Sequence, residues 1–226
     1  MVLCARLIEK DSVNPPVIDA DIYYRMINRT SITVALDVDG VLLDFDEHWR
    51  ACAQECLQRP IVRVSESYSF TRRFNISKEE KALVWQRFID DGWMATVPAY
   101  PTSKQMVADL REMGASLWAI SSVRETSYAE RCESLSELLP PERILCVGSP
   151  ETRPSKVPTL KRIGAQIMLD DLAIHLEDAK GVVEYPVLMD QHYAEFDHLR
   201  PEHVVQTHAE FVRLCANIVS GEKVGN

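Results

Sequence analysis

The run Ser31-Ile-Thr-Val-Ala-Leu-Asp-Val-Asp-Gly-Val-Leu-Leu-Asp-Phe45 constrains this chain more than any other stretch, because an apolar segment stops abruptly at two carboxylates and a glycine. β-Branched residues dominate Ile32 to Leu36 and polar alternation is weak, which predicts a fully buried strand of the parallel-sheet kind. In open α/β sheets ligands bind outside the carboxyl ends of the strands, so Asp37 and Asp39 fall where chemistry is normally done. Two acids one residue apart repel unless a cation or a shared proton relieves them. Gly40 permits a sharp exit and is expected to leave backbone N–H groups facing an anion. A solvated Asp-x-Asp-Gly turn is the plain alternative for this motif taken alone.

The rest of the chain repeats the pattern. Helical spacing runs from Glu47 to about Leu57 and breaks at Arg59-Pro60. Ser77 and Glu80 form a capping-box signature, and the helix that follows is expected to place Leu83, Trp85, Phe88 and Ile89 on overlapping faces. Residues 46–95 thus read as a mainly helical insert carrying Phe70, Phe74, Trp85, Phe88 and Trp93. A helix over Thr102–Met113, closed by Gly114, precedes a strand over Ala115–Ile120 that ends in Ser121-Ser122. Further elements are a helix near Ala129–Leu139, a strand over Arg143–Val147 and a short helix with Lys156 at its start. The last are a strand over Ala165–Leu169 ending in Asp170-Asp171, a strand over Val182–Leu188 and a helix over Ala209–Val219. This alternation predicts an α/β, Rossmann-like parallel sheet flanked by helices on both faces, with a small helical cap inserted after the first strand. Residues 31–45 and 96–226 form its core. Residues 1–30 stand apart as an N-terminal extension, expected to pack on the core or a partner subunit, which leaves a homodimer open.

Charge excludes some functions. A net charge of -9 over 226 residues argues against a surface for polymeric nucleic acid, which needs clustered Lys and Arg. No signal-peptide pattern or apolar run of membrane-spanning length is present, so a soluble, cytoplasmic protein is expected. The six cysteines show no C-x-x-C spacing, which suits reduced thiols, and Cys52 and Cys56 read as one core-facing side of a helix.

Asp37-Val-Asp-Gly-Val41, Ser121, Lys156 and Asp170-Asp171 stand in the order of the four motifs of the haloacid dehalogenase (HAD) superfamily of phosphotransferases, which the chain closely resembles from about Ile32 onward. Within it, Asp37 to Phe45 resembles the opening of the 5′(3′)-deoxyribonucleotidases, as do the helical insert, the paired Ser121-Ser122 and a late Asp190-Gln-His-Tyr segment. The resemblance implies Asp37 as nucleophile, Asp39 as general acid/base, and Ser121 and Lys156 as holders of the phosphoryl oxygens. It implies Mg²⁺ on Asp37, the backbone carbonyl of Asp39 and Asp170, with Asp171 ligating through water or orienting the other ligands. It implies a small phosphorylated metabolite as substrate, a nucleoside monophosphate before a sugar phosphate, with Phe45 contacting the base. Lys156 is preferred to Lys161, which falls inside the helix. Arg124 is read either as a substrate-phosphate contact or as a surface arginine. A phosphoacceptor receiver domain fits less well, since there the acid pair precedes the phosphorylated aspartate; a catalytically silent HAD-like scaffold is opposed by the intact Asp37, Asp39, Ser121 and Asp170.

Overall fold

The computed structural model describes residues 31–148 and 155–221, and the expectations for residues 1–30 lie outside the described residues. Six parallel strands form one sheet: β1 (Thr33–Leu36), β2 (Ser116–Arg124), β3 (Ile144–Gly148), β4 (Ile167–Asp170), β5 (Tyr185–Met189) and β6 (His203–Val205). Their order is β3-β2-β1-β4-β5-β6, so the chain reverses direction of growth between β1 and β4. That reversal opens a crevice at the carboxyl ends of these two strands.

β1 is buried on both sides. Val34 and Leu36 join a core cluster with Trp49, Leu110 and Phe211, while Ala35 faces a second cluster with Leu160, Met168 and Leu176. Because successive strand residues point to opposite faces, these clusters are the two helix-covered sides of the sheet.

Eight α-helices are described: α1 (Phe45–Leu57), α2 (Phe70–Arg73), α3 (Lys78–Asp90), α4 (Pro101–Glu112), α5 (Tyr128–Ser134), α6 (Val157–Ile163), α7 (Ala173–Asp178) and α8 (His208–Ser220). Asp44 caps α1 by accepting from the Glu47 N–H, and Ser77 with Glu80 closes the expected capping box on α3. Each such cap contributes roughly 1 kcal/mol. The chain leaves the sheet through Leu42–Asp44 and returns through Pro98–Tyr100. These segments bond to each other, Asp44 N to Pro98 O at 2.9 Å and Tyr100 N to Leu42 O at 3.0 Å. Between them, α1, α2 and α3 pack round Phe45, Trp49, Phe70, Trp85 and Phe88. Cys52 is buried in that packing and Cys56 is partly buried against it.

Several boundaries differ from the sequence reading. β2 does not end at the serines but continues to Arg124, with a shift of register against β3 between Ser121 and Arg124. α5 stops at Ser134, five residues short of the expected Leu139, and hydrogen-bonded turns over residues 135–139 carry the chain to Pro140-Pro141. β5 begins at Tyr185 because Val182 and Val183 are bonded into a turn on Ala179. On α3 only Val84 and Phe88 are buried, while Leu83 and Ile89 are exposed, so the apolar stripe is narrower than expected. Among the described residues no helix is long and apolar enough to cross a membrane.

Candidate active site

The carboxyl ends of β1 and β4 bring three acids together. Asp37 follows β1 and donates its backbone N–H to Leu169 O at 2.8 Å, Asp170 ends β4, and Asp171 is next in chain. All three are buried, and one carboxylate oxygen from each lies within 4.8 Å of the others. Lys156 is buried between two of them. Its ammonium donates to Asp37 and, at 2.6 Å, to Asp170 Oδ2. Lys156 is itself the cap residue of α6, with no side-chain cap on that helix. Lys161 is exposed on the same helix.

Electrostatics follow from this packing. Burial pushes Asp37 up to about 6, with the Asp170 charge adding to it and Lys156 opposing. Asp171 is raised well above the usual carboxylate range by burial and then by the charges of Asp37 and Asp170. Burial acts on Asp170 in the same sense, but Lys156 and His175 outweigh it and hold the group at about 2. Burial alone would lower the Lys156 pKa, yet Asp170 and Asp37 raise it. Three buried carboxylates facing one ammonium leave room for more positive charge. The donors are all carboxylate oxygens, the set a hard cation such as Mg²⁺ takes.

Gly40 has a different part from the one expected. Its N–H is not free for an anion but donates to Leu43 O at 3.0 Å. What demands glycine is a φ of +80° and the approach of Asp171, whose Oδ2 would lie 2.3 Å from any Cβ placed there. Asp39 is not one of the three clustered acids: its Oδ2 accepts from Arg131 Nη2 at 2.9 Å, while its Oδ1 has no partner among the described residues. Ser121 is wholly buried, with Oγ 3.5 Å from the Val123 N–H. Ser122 lines the cavity described next, and its buried hydroxyl has no partner among the described residues. Arg124, the last residue of β2, is exposed and does not line that cavity.

A cavity of about 520 Å³ opens over the acids. Asp37, Asp39, Gly40, Ser122, Asp171 and His175 line its floor, and Phe45, Phe70, Trp85, Tyr68, Tyr193 and Phe196 give it an aromatic wall. Phe45 serves two purposes there, since its ring also packs on Trp85 at 5.7 Å and Phe88 at 5.4 Å.

Four residues that sequence reasoning missed complete the site. His175 places Nδ1 3.2 Å from Asp170 Oδ1, Tyr193 donates its hydroxyl to Asp171 at 3.1 Å, and Gln191 donates to the Gly40 carbonyl at 2.7 Å. Arg131, wholly buried on α5, is the fourth. His175 had a usable signal, standing one helical turn beyond Asp171, and Tyr193 and Gln191 lie in the Asp190-Gln-His-Tyr segment. Arg131 had none, because an arginine between two glutamates on a helix reads as solvent-exposed.

No family model matches the sequence, and no curated protein matches it. Solved structures do match the fold. A HAD family hydrolase from Deinococcus radiodurans, with bound phosphate and sodium, superposes with a TM-score of 0.57 at 14% identity, covering 85% of this chain and 98% of that one. A predicted phosphoglycolate phosphatase from Haemophilus somnus gives 0.56 at 12% identity, covering 82% and 98%. CbbY from Rhodobacter sphaeroides, a mutant in complex with xylulose-(1,5)bisphosphate, gives 0.51 at 13% identity, covering 79% and 95%. The chain has the α/β fold of the haloacid dehalogenase-like hydrolases.

Proposed function

We propose that this protein is a divalent-metal-dependent phosphomonoester hydrolase that works through an aspartyl-phosphate on Asp37. The observation that carries this reading is the buried Asp37, Asp170 and Asp171 cluster with Lys156 among it, set at the switch point of a HAD-like sheet and beneath a ligand-sized cavity. The neighbouring folds include a predicted phosphatase and a protein solved with a sugar bisphosphate, which agrees with this class of chemistry.

In this reading the Asp37 carboxylate attacks phosphorus while Asp39 gives a proton to the departing oxygen. Asp39, then ionised, takes a proton from the water that attacks the aspartyl-phosphate, and phosphate leaves with Asp37 restored. Lys156 and the Ser121 hydroxyl hold the phosphoryl oxygens, and the partnerless Ser122 hydroxyl is placed to add a further donor. Asp37, the backbone carbonyl of Asp39 and Asp170 would hold Mg²⁺, with Asp171 beside them oriented by Tyr193. Bound there, the ion supplies positive charge to the transferring phosphoryl group. Residues 46–95 act as the cap over the leaving group.

The aromatic wall favours a nucleoside monophosphate over a sugar phosphate. Stacking a base on an aromatic side chain contributes about 1–3 kcal/mol, which is roughly ten- to a hundred-fold in selectivity. Inorganic-phosphate release from nucleoside monophosphates and sugar phosphates, with Mg²⁺ and with chelator, tests both levels. Hydrolysis is expected to need the metal and to vanish in Asp37→Asn; full activity in that variant overturns the mechanism. Phe45→Ala should cost a nucleoside monophosphate far more in kcat/KM than an aliphatic phosphate. An equal loss on both would make Phe45 a packing residue of the cap and remove the support for a nucleotide.

A further inference from the structure

The charges on the cap side of the cavity restrict the leaving group further. Asp44, Asp46 and Glu47 line that side as acids, and Arg63 and Arg73 are its cations. Neither arginine is free. Arg73 is buried, donates to Asp46 and to the carbonyls of Ser67 at 2.7 Å and Tyr68 at 3.2 Å, and lies over the Tyr193 ring at 4.8 Å. Arg63 is spent on Glu66 and, at 3.8 Å, on Asp46. Glu47 in turn is matched by Arg50, which donates to it at 3.1 Å.

Asp44 remains. Its Oδ1 accepts only the long 3.4 Å bond that caps α1, and among the described residues no ion pair includes it. Burial raises its pKa most, the Glu47 N–H opposes that, and the charges of Glu47 and Asp46 raise it further against a smaller opposing influence of His48.

We infer that the cavity selects phosphomonoesters whose leaving group carries no second anionic group, and that Asp44 is the specificity residue that turns such groups away. The inference rests on the hydrolase reading above and narrows it: bisphosphates and phosphorylated carboxylic acids are poor substrates, and uncharged aromatic leaving groups are good ones. A second phosphate entering the cap side would meet a carboxylate with no ion-pair partner among the described residues, in a partly desolvated pocket, where like charges about 7 Å apart repel enough to lower kcat/KM roughly ten- to fifty-fold.

The experiment compares matched pairs in the presence of Mg²⁺: a nucleoside 5′-monophosphate against the corresponding 3′,5′-bisphosphate, and ribose 5-phosphate against ribose 1,5-bisphosphate. The monophosphate of each pair is expected to be preferred at least ten-fold. Asp44→Asn removes the charge and keeps a residue that caps helices equally well, so the preference should shrink about five-fold or more without a change in melting temperature. Asp44→Ser, also a capping residue, repeats the comparison if asparagine proves destabilising. Turnover in which bisphosphates match or exceed the monophosphates, or a preference unchanged in both variants, overturns the inference while leaving the hydrolase reading intact. No phosphate release from any of the four compounds overturns the hydrolase reading and the inference with it.

Discussion

Lys156 Nζ lies 2.6 Å from Asp170 Oδ2 and also donates to Asp37, so a single ammonium ties the end of β4 to the end of β1. Asp37 and Asp170 come from strands that are neighbours in the sheet but 133 residues apart in sequence, whereas Lys156 arrives from the N-cap of a helix. Their meeting depends on the whole parallel arrangement rather than on any local motif. It also makes the ammonium indispensable twice, to the charge balance of the fold and to the proposed chemistry.

Removing that ammonium should therefore be costly in both respects. Breaking a buried ion pair on one side commonly costs about 3–5 kcal/mol, because the remaining charge is left unpaired. Lys156→Ala is expected to lower unfolding stability by about that amount in urea titrations and to reduce phosphate release at least a hundred-fold. Lys161, exposed on the same helix, should tolerate alanine with a change of about 0.5 kcal/mol or less. A larger loss of turnover in Lys161→Ala than in Lys156→Ala would reverse the assignment.

The acid cluster predicts how metal-free protein responds to pH. Asp37 has an ordinary value of 3.8 and is pushed up to about 6 in the fold, so between these values the folded state binds more protons than the unfolded one. Stability then falls as pH rises from about 4 to about 6, by roughly 3 kcal/mol at most. Asp171 is shifted in the same direction. Asp170, held at about 2, works in the opposite sense: its stabilisation is present above 3.8 and is lost as pH falls toward 2, outside that window. Mg²⁺ should restore what is lost, so the gain in melting temperature on adding it to chelator-treated protein is expected to be larger at pH 7 than at pH 4.5. A gain equal at both, or none at either, would argue that the cluster holds no divalent ion.

How much of this was legible in the sequence depended on where the deciding interactions lie. β1 and the end of β4 were readable because buried parallel strands are written as short apolar runs, and acids that end such runs are conspicuous, whereas the extension of β2 past its serines to Arg124 was not. The capping box on α3 was readable because both of its partners lie within four residues. Gly40 was misread in part: the positive φ follows from local geometry, but the approach of Asp171 comes from a segment 131 residues away. Separation in sequence likewise hid Arg131, whose guanidinium meets Asp39, 92 residues away, and Met94, 37 residues away. β6 went unnoticed because three residues hold too little pattern to show periodicity.

The last prediction concerns the contact by which the proposed cap closes over the site. Glu195, in the turn after β5, accepts from the Ser67 hydroxyl, from the Tyr68 N–H at 3.0 Å and from Arg72 Nη2 at 2.9 Å. The Tyr68 ring meets Tyr193 at 5.4 Å and Phe196 at 5.7 Å, so this contact fixes three aromatic residues of the cavity wall. Burial would raise the Glu195 pKa, but the bonds from Ser67 and the Tyr68 N–H, with the charge of Arg72, outweigh it and hold the group at about 2. A depressed carboxylate stabilises above its ordinary value of 4.5 and loses that contribution as pH falls toward 2. The bonds to a charged acceptor are worth about 1.5–3 kcal/mol, so Glu195→Gln should speed hydrogen exchange at the Tyr68 amide about ten-fold or more at pH 7. In the native protein the protection factor of that amide should fall between pH 4.5 and pH 2, and in the variant it should already be low and flat. Unchanged protection at Tyr68 in the variant would show that the aromatic contacts alone hold the two segments together, and that Glu195 has no part in closure.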